Sequence, residues 1–221
     1  MLKSHIIKYI ILLLCALPVF AYAQQGEKPS KHELQLTVGL DSYLAFQFEP
    51  SYSYMFHKNI GVTGGFRLIQ EIVENLRYDF VSDPVPQWKV SNKKRVSILL
   101  FKPALRLKIP IVNDWVSFVT EPGLLINLIP NETLEFAYYY TKTTQYQTVK
   151  SKGGEAIFYN VKNYLSFQID NWAILLGYDL STHELYSGRR NIIIEGDALK
   201  NHLPRKIKFT HTGFVGVSFF L

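Results

Sequence analysis

The sequence predicts an all-β fold, an eight-stranded antiparallel up-and-down transmembrane β-barrel, on three observations. A two-residue alternation of apolar and polar side chains starts at His32 and recurs, segment after segment, to Leu221. Several of these segments reach 13 to 15 residues, longer than the roughly 5 or 6 of a globular strand and enough for a tilted membrane crossing of about 9 to 11. The connections after the first alternate short with long, as in a barrel with one rim facing a cramped compartment and the other facing outside.

The chain opens with the layout of a secretory signal over residues 1–23. Lys3 and Lys8 make a positive start, Tyr9 to Leu17 a short apolar run, and Ala21-Tyr22-Ala23 a small-x-small cleavage site. Pro18 interrupts the run, which falls short of the roughly 20 residues of a spanning helix. Residues 24–31 are polar, contain Gly26 and Pro29, and read as a flexible periplasmic lead. Residues 32–221 then form the barrel.

The first strand, His32 to Leu40, sets Leu34, Leu36, Val38 and Leu40 against Glu33, Gln35, Thr37 and Gly39. The second, Leu44 to Phe56, carries Phe46, Phe48, Tyr52, Tyr54 and Phe56 on one face and Gln47, Glu49, Ser51 and Ser53 on the other. The third is Ile60 to Ile69, after which residues 70–94 form a long polar insertion. The fourth and fifth, Arg95 to Ile109 and Trp115 to Ile129, are joined by a short turn. A second insertion near 130–155 is rich in tyrosine and lysine. The sixth and seventh strands, Ala156 to Ile169 and Trp172 to Leu180, flank Asp170-Asn171. A third insertion near 181–205 leads to the last strand, Lys206 to Leu221, which ends on Phe219, Phe220 and Leu221 with no polar tail. Gly64-Gly65 and Gly153-Gly154 lack the strand-turn-helix setting of a phosphate loop and read as bulge or turn glycines.

Composition narrows the class. The chain carries 14 Tyr and 15 Phe among 221 residues, with few charges and no long apolar run, which suits the aromatic girdles of a membrane barrel. The formal charge of +6, about +4 without the signal's lysines, comes from scattered basic residues without a nucleic-acid motif. The only cysteine, Cys15, falls inside the signal, so the mature chain has neither disulfides nor a thiol nucleophile. No His, Asp and Glu group has metal-ligand spacing, and no cofactor is expected.

Three predicted strands carry a charged residue just before a proline: Glu49-Pro50, Lys102-Pro103 and Glu121-Pro122. Each proline has the apolar parity, so each preceding charge points inward, and proline in a strand suggests a bulge near one rim. Glu49 and Glu121 are expected to pair with members of Arg67, Lys102, Arg106 and Lys108. The bland reading of this network, a plug of salt bridges in a lumen only wide enough for side chains, is preferred to an ion-selective constriction.

The signal, the eight strands, the charge-proline steps and the ending Gly213 to Leu221 together resemble the outer-membrane protein β-barrel domain family of Gram-negative bacteria, similar in architecture to OmpA-type transmembrane domains. The resemblance implies location in the outer membrane after cleavage near Ala23. It also implies lipid and lipopolysaccharide as surroundings and recognition of the C-terminal strand by the barrel-assembly machinery. It implies no single activity.

Three functions compete. The first is a non-enzymatic barrel that is structural or binds through its long loops, especially the basic, tyrosine-rich one around Tyr138 to Lys152. The second is a porin-like narrow channel or conduit for small molecules. The third is a lipid-modifying enzyme drawing on Ser181, His183 and Glu184, with His211, the one imidazole on the apolar face of the last strand, at the membrane interface.

Overall fold

The computed structural model describes residues 31–72, 79–80, 87–90, 95–112, 115–139, 144–194 and 197–221. The expected signal, nearly all of the lead and much of the first long insertion therefore lie outside the described residues. Eight strands close a barrel: β1 (His32–Asp41), β2 (Ala45–His57), β3 (Ile60–Glu71), β6 (Ser97–Val112), β7 (Val116–Asn127), β10 (Ile157–Ile169), β11 (Trp172–Ser181) and β14 (Thr210–Phe220). All neighbours are antiparallel, and β14 closes on β1 with Leu36 opposite Val217. The predicted strands coincide with these to within a few residues. The second strand starts at Ala45, because Leu44 sits in the left-handed region (φ 57°) and completes the turn from β1. The last starts at Thr210, because Ile207 packs instead on the core that the barrel mouth shares with the insertions and the Lys206 ammonium bonds Glu155.

The two faces are inverted relative to a water-soluble barrel. Leu34, Tyr52, Val62, Phe66, Leu176 and Val215 face outward and are exposed, whereas Glu33, Glu49, Arg67, Lys102 and Glu121 are buried inside. An exposed apolar belt of this extent is far beyond what a soluble monomer carries, and the alternation is that of a strand with lipid outside and polar groups within. Aromatic side chains mark both rims. Tyr54, Phe56 and Trp115 lie at the end with short turns, and Tyr159, Tyr178 and Phe209 at the end with long loops.

The prolines behave differently from expectation. No register shift occurs at Pro50, Pro103 or Pro122; the two shifts fall at Met55/His57 and Pro110/Val112, next to the short turns. At each of the three, the ladder to one neighbour misses two pairs and resumes in the same register: between Phe48↔Leu68 and Ser51↔Gly65, between Phe101↔Ile126 and Ala104↔Gly123, and between Ala104↔Gly123 and Leu107↔Thr120. Proline lacks the N–H that a ladder pair needs, so the ladder opens locally beside it without a change of register.

The described parts of the long insertions add further strands. β4 (Asp79–Phe80), β5 (Gln87–Val90), β8 (Thr133–Tyr139) and β9 (Thr144–Lys150) form a four-stranded sheet in the order β4-β5-β8-β9. The last insertion adds the β12 (Ile193–Ile194) and β13 (Asp197–Ala198) pair and a 3-10 turn at Leu199–Asn201. Gly153, with φ 95°, makes the turn that follows β9.

Candidate functional site

The interior is layered from one end to the other. At the turn end Val119, Tyr164, Ala173, Leu175 and Phe214 fill the lumen, with Phe220 against them. The Tyr164 and Phe214 rings meet edge to face at 6.0 Å. They fit because residue 177 is glycine: a Cβ there would stand 2.4 Å from Tyr164 Cβ and 2.6 Å from Phe214 Cζ.

The middle layer is a continuous ion-pair network. Arg106 joins Glu33 (2.7 Å) to Glu121 (3.3 Å), and Lys102 joins Glu121 (2.9 Å) to Glu49 (3.0 Å). Arg67 joins Glu49 (2.6 Å) to Asp179, and Lys162 adds a second ammonium to Glu49 at 2.7 Å. The cations Arg67, Lys102, Arg106 and Lys162 number four, and so do the anions Glu33, Glu49, Glu121 and Asp179. The set is neutral and ties together seven of the eight barrel strands. The three charges that precede prolines meet directly, Lys102 lying between Glu49 and Glu121. The cavity left beside Glu49, Arg67, Lys162 and Asp179 measures about 10 Å³, room for about one water and no more.

Of the six residues anticipated for this network, Glu49, Arg67, Lys102, Arg106 and Glu121 come together and Lys108 does not. The Lys108 ammonium lies over the Phe220 ring at 5.6 Å, below the charged layer. Glu33, Lys162 and Asp179 complete the network and escape the sequence reading. Glu33 has the inward parity of the first strand, but no proline marks it. Lys162 reaches Glu49 across 113 residues of sequence and Asp179 reaches Arg67 across 112, separations that spacing alone does not reveal.

At the loop end the lumen is closed by an apolar cap. Ala45, Ile69, Leu100, Leu125 and Phe158 of the barrel form one core with Leu134 and Phe136 of β8 and with Leu185, Tyr186, Ile192, Leu199 and Leu203 of the last insertion. Polar ties fix this cap: Tyr186 donates to Glu71 (2.9 Å), the Arg189 guanidinium to Glu132 (2.6 Å), Thr210 to the His183 carbonyl (2.6 Å), and Arg190 to Glu184 and the Pro204 carbonyl. At the surface, the hydrogen bond to Glu155 raises the affinity of the Lys206 ammonium for its proton.

The candidate nucleophile and bases do not form a relay. Ser181 Oγ and both ring nitrogens of His183 are buried without a hydrogen-bond partner among the described residues. The His183 ring sits edge-on between Phe158 (6.0 Å) and Tyr43 (6.4 Å), and burial, with the Arg67 charge, lowers its pKa to about 3. Glu184 is engaged by Arg190 and Lys206. His211 lies on the outer surface at the loop-end rim, paired with the Tyr178 hydroxyl, whereas Ser181 faces the lumen. Among the described residues no group of three or more His, Cys, Asp or Glu side chains is placed to hold a metal ion.

No family model matches the chain, and no curated protein does. Solved structures do. The N-terminal β-barrel domain of Pseudomonas aeruginosa OprF is 10% identical with a TM-score of 0.45, over 87% of this chain and 98% of that one. Neisserial surface protein A is 10% identical with a TM-score of 0.46, over 89% and 100%. A major outer membrane protein from Thermus thermophilus is 7% identical with a TM-score of 0.49, over 87% and 99%. These are likenesses of fold, to outer-membrane β-barrels, with a closed eight-stranded antiparallel barrel on this side of the comparison.

Proposed function

We propose that this protein is a non-enzymatic integral outer-membrane β-barrel that holds an ordered cap outside the cell to bind an anionic surface partner. The observation that carries this reading is the shared core of barrel mouth and insertions, which makes the cap a rigid platform. The long insertions face outward and the short turns face the periplasm, as small barrels of this kind are oriented. Cleavage near Ala23 and recognition of β14 by the assembly machinery complete the proposed route to the membrane.

Among the described residues, the exposed charges of the cap are mostly basic. Lys150, Lys152, Lys200, Arg205, Lys206 and Lys208 are all exposed, and Lys206 is engaged by Glu155. Such a face attracts a polyanion, such as the phosphorylated or acidic sugars of a bacterial surface, with an affinity that falls as salt rises. A conduit fits less well with a neutral charge layer sealed between two apolar ones, and an enzyme less well with an unassembled Ser181, His183 and His211.

The test is titration of the barrel, in lipid nanodiscs, with a phosphorylated lipopolysaccharide core fragment. The triple variant K200A/R205A/K208A is expected to weaken binding about tenfold, three exposed charges each contributing under about 1 kcal/mol. Absence of binding by the unaltered protein, or binding indifferent to both the triple substitution and salt, would overturn the reading.

A further inference from the structure

A groove of about 460 Å³ is cut into the lipid-facing wall across β14, β1, β2, β3 and β6. Two neighbouring diagonal rows of the barrel create it. One row runs Phe219, Leu34, Tyr52, Gly64 through paired positions, and the next runs Leu36, Pro50, then in the same register across the ladder gap at Pro50 to Phe66 and Phe101. Within these rows of large side chains Gly64 and Pro50 are small, and they stand at adjacent points. At Gly64 a Cβ would meet nothing within 4 Å, so the recess is open to its floor. The Phe66 and Phe101 rings, 5.5 Å apart, wall its upper end. The volume is in the range of small-ligand sites, about 300–1,000 Å³, and the lining is almost wholly apolar.

The lower lip of the groove is different in character. His32 bonds the Tyr52 hydroxyl and packs against the Tyr54 ring at 5.2 Å, two residues below Leu34 and so about 7 Å from the groove floor. Lys31 precedes it, and His57 at the end of β2 and Lys58 in the turn that follows are exposed. This is the turn end of the barrel, where the strand begins and where an aromatic-polar belt meets headgroups. We propose that the groove is a retained-lipid site, holding one acyl chain of an anionic glycerophospholipid of the periplasmic leaflet, its phosphate set against Lys31, His32 and Lys58. The wall faces hydrocarbon, so acyl chains are what surrounds it; the lysines near the lip select the anionic headgroup, and their position at the turn end selects the periplasmic leaflet.

The proposal rests on the orientation given under Proposed function, and its test separates the two. Wild type, Gly64→Leu and Gly213→Leu are each placed in nanodiscs of phosphatidylethanolamine and phosphatidylglycerol, and in parallel ones with added lipopolysaccharide. They are then released for native mass spectrometry. Gly213 is the control: its Cβ also meets nothing within 4 Å, but it lies outside the groove. Each variant is first shown to keep heat-modifiable mobility, so a lost adduct is not a lost fold. The expected result is one phosphatidylglycerol adduct on wild type and Gly213→Leu, lost in Gly64→Leu and weakened in K31A/K58A. Equal retention by Gly64→Leu, a lipopolysaccharide adduct in its place, a lipid-free dimer, or no adduct on wild type would each overturn it. Orientation is read separately on whole cells carrying Lys200→Cys with a membrane-impermeant maleimide: absence of labelling would overturn the orientation reading and the site with it, whereas no wild-type adduct with labelling intact would overturn the site alone.

Discussion

Glu49 is the residue on which the interior charge balance turns. Its carboxylate accepts from Arg67, Lys102 and Lys162, all of them buried with it. Glu49→Gln leaves three cations around a neutral amide, and breaking a buried pair by removing one partner costs about 3–5 kcal/mol. The urea midpoint of the heat-modifiable form should fall accordingly, and the double variant Glu49→Gln/Lys162→Met should recover part of the loss. The exposed pair of Lys206 and Glu155 offers the contrast: Lys206→Ala should cost under about 1 kcal/mol. His183 gives a pH dependence with a definite sign. Its folded pKa of about 3 lies below the ordinary 6.5, so it is neutral in the fold and the unfolded chain binds the extra proton. This contribution is fully present above about pH 7 and is lost as the pH falls from about 6.5 toward about 3. His183→Phe, which keeps an aromatic ring between Phe158 and Tyr43, should remove that part of the acid sensitivity when unfolding is followed between about pH 7 and about pH 4.

Among the elements, the barrel strands were legible because each separates two environments, and a strict two-residue period is the signature of that. The cap strands were not. Thr144 to Lys150 reads TQYQTVK and is exposed nearly throughout, so it has no apolar face to announce a strand; β8 supplies that role with Leu134 and Phe136. The charge-proline steps located the centre of the ion-pair network, yet the bulges expected from the same prolines are absent. A ladder can skip two pairs at a proline without changing register, and the sequence does not distinguish the two outcomes. Lys108 had the right parity but lies too near the turn end, since parity fixes the face of a residue and leaves its depth open. The cap should respond as a unit: Arg189→Ala, which removes the bond to Glu132, is expected to increase protease cleavage within residues 182–209 while the barrel keeps its heat-modifiable mobility. Unchanged cleavage would mean the apolar core alone holds the cap.

At the scale of the whole molecule the layers add up to a closed object. An apolar plug, a neutral lattice of four cations and four anions, and an apolar cap follow one another along the axis, and the cavity between the charges is about 10 Å³. The space beside Glu49, Arg67, Lys162 and Asp179 is far smaller than a hydrated ion, and a charge entering it would disturb a balanced network. The exterior is equally specific, since its exposed apolar belt has no stable home in water. Planar-bilayer recording on the purified, heat-modifiable barrel tests this account most directly. The predicted result is insertion with a current that stays at baseline across the voltage range, and resolved unitary conductance steps would contradict it.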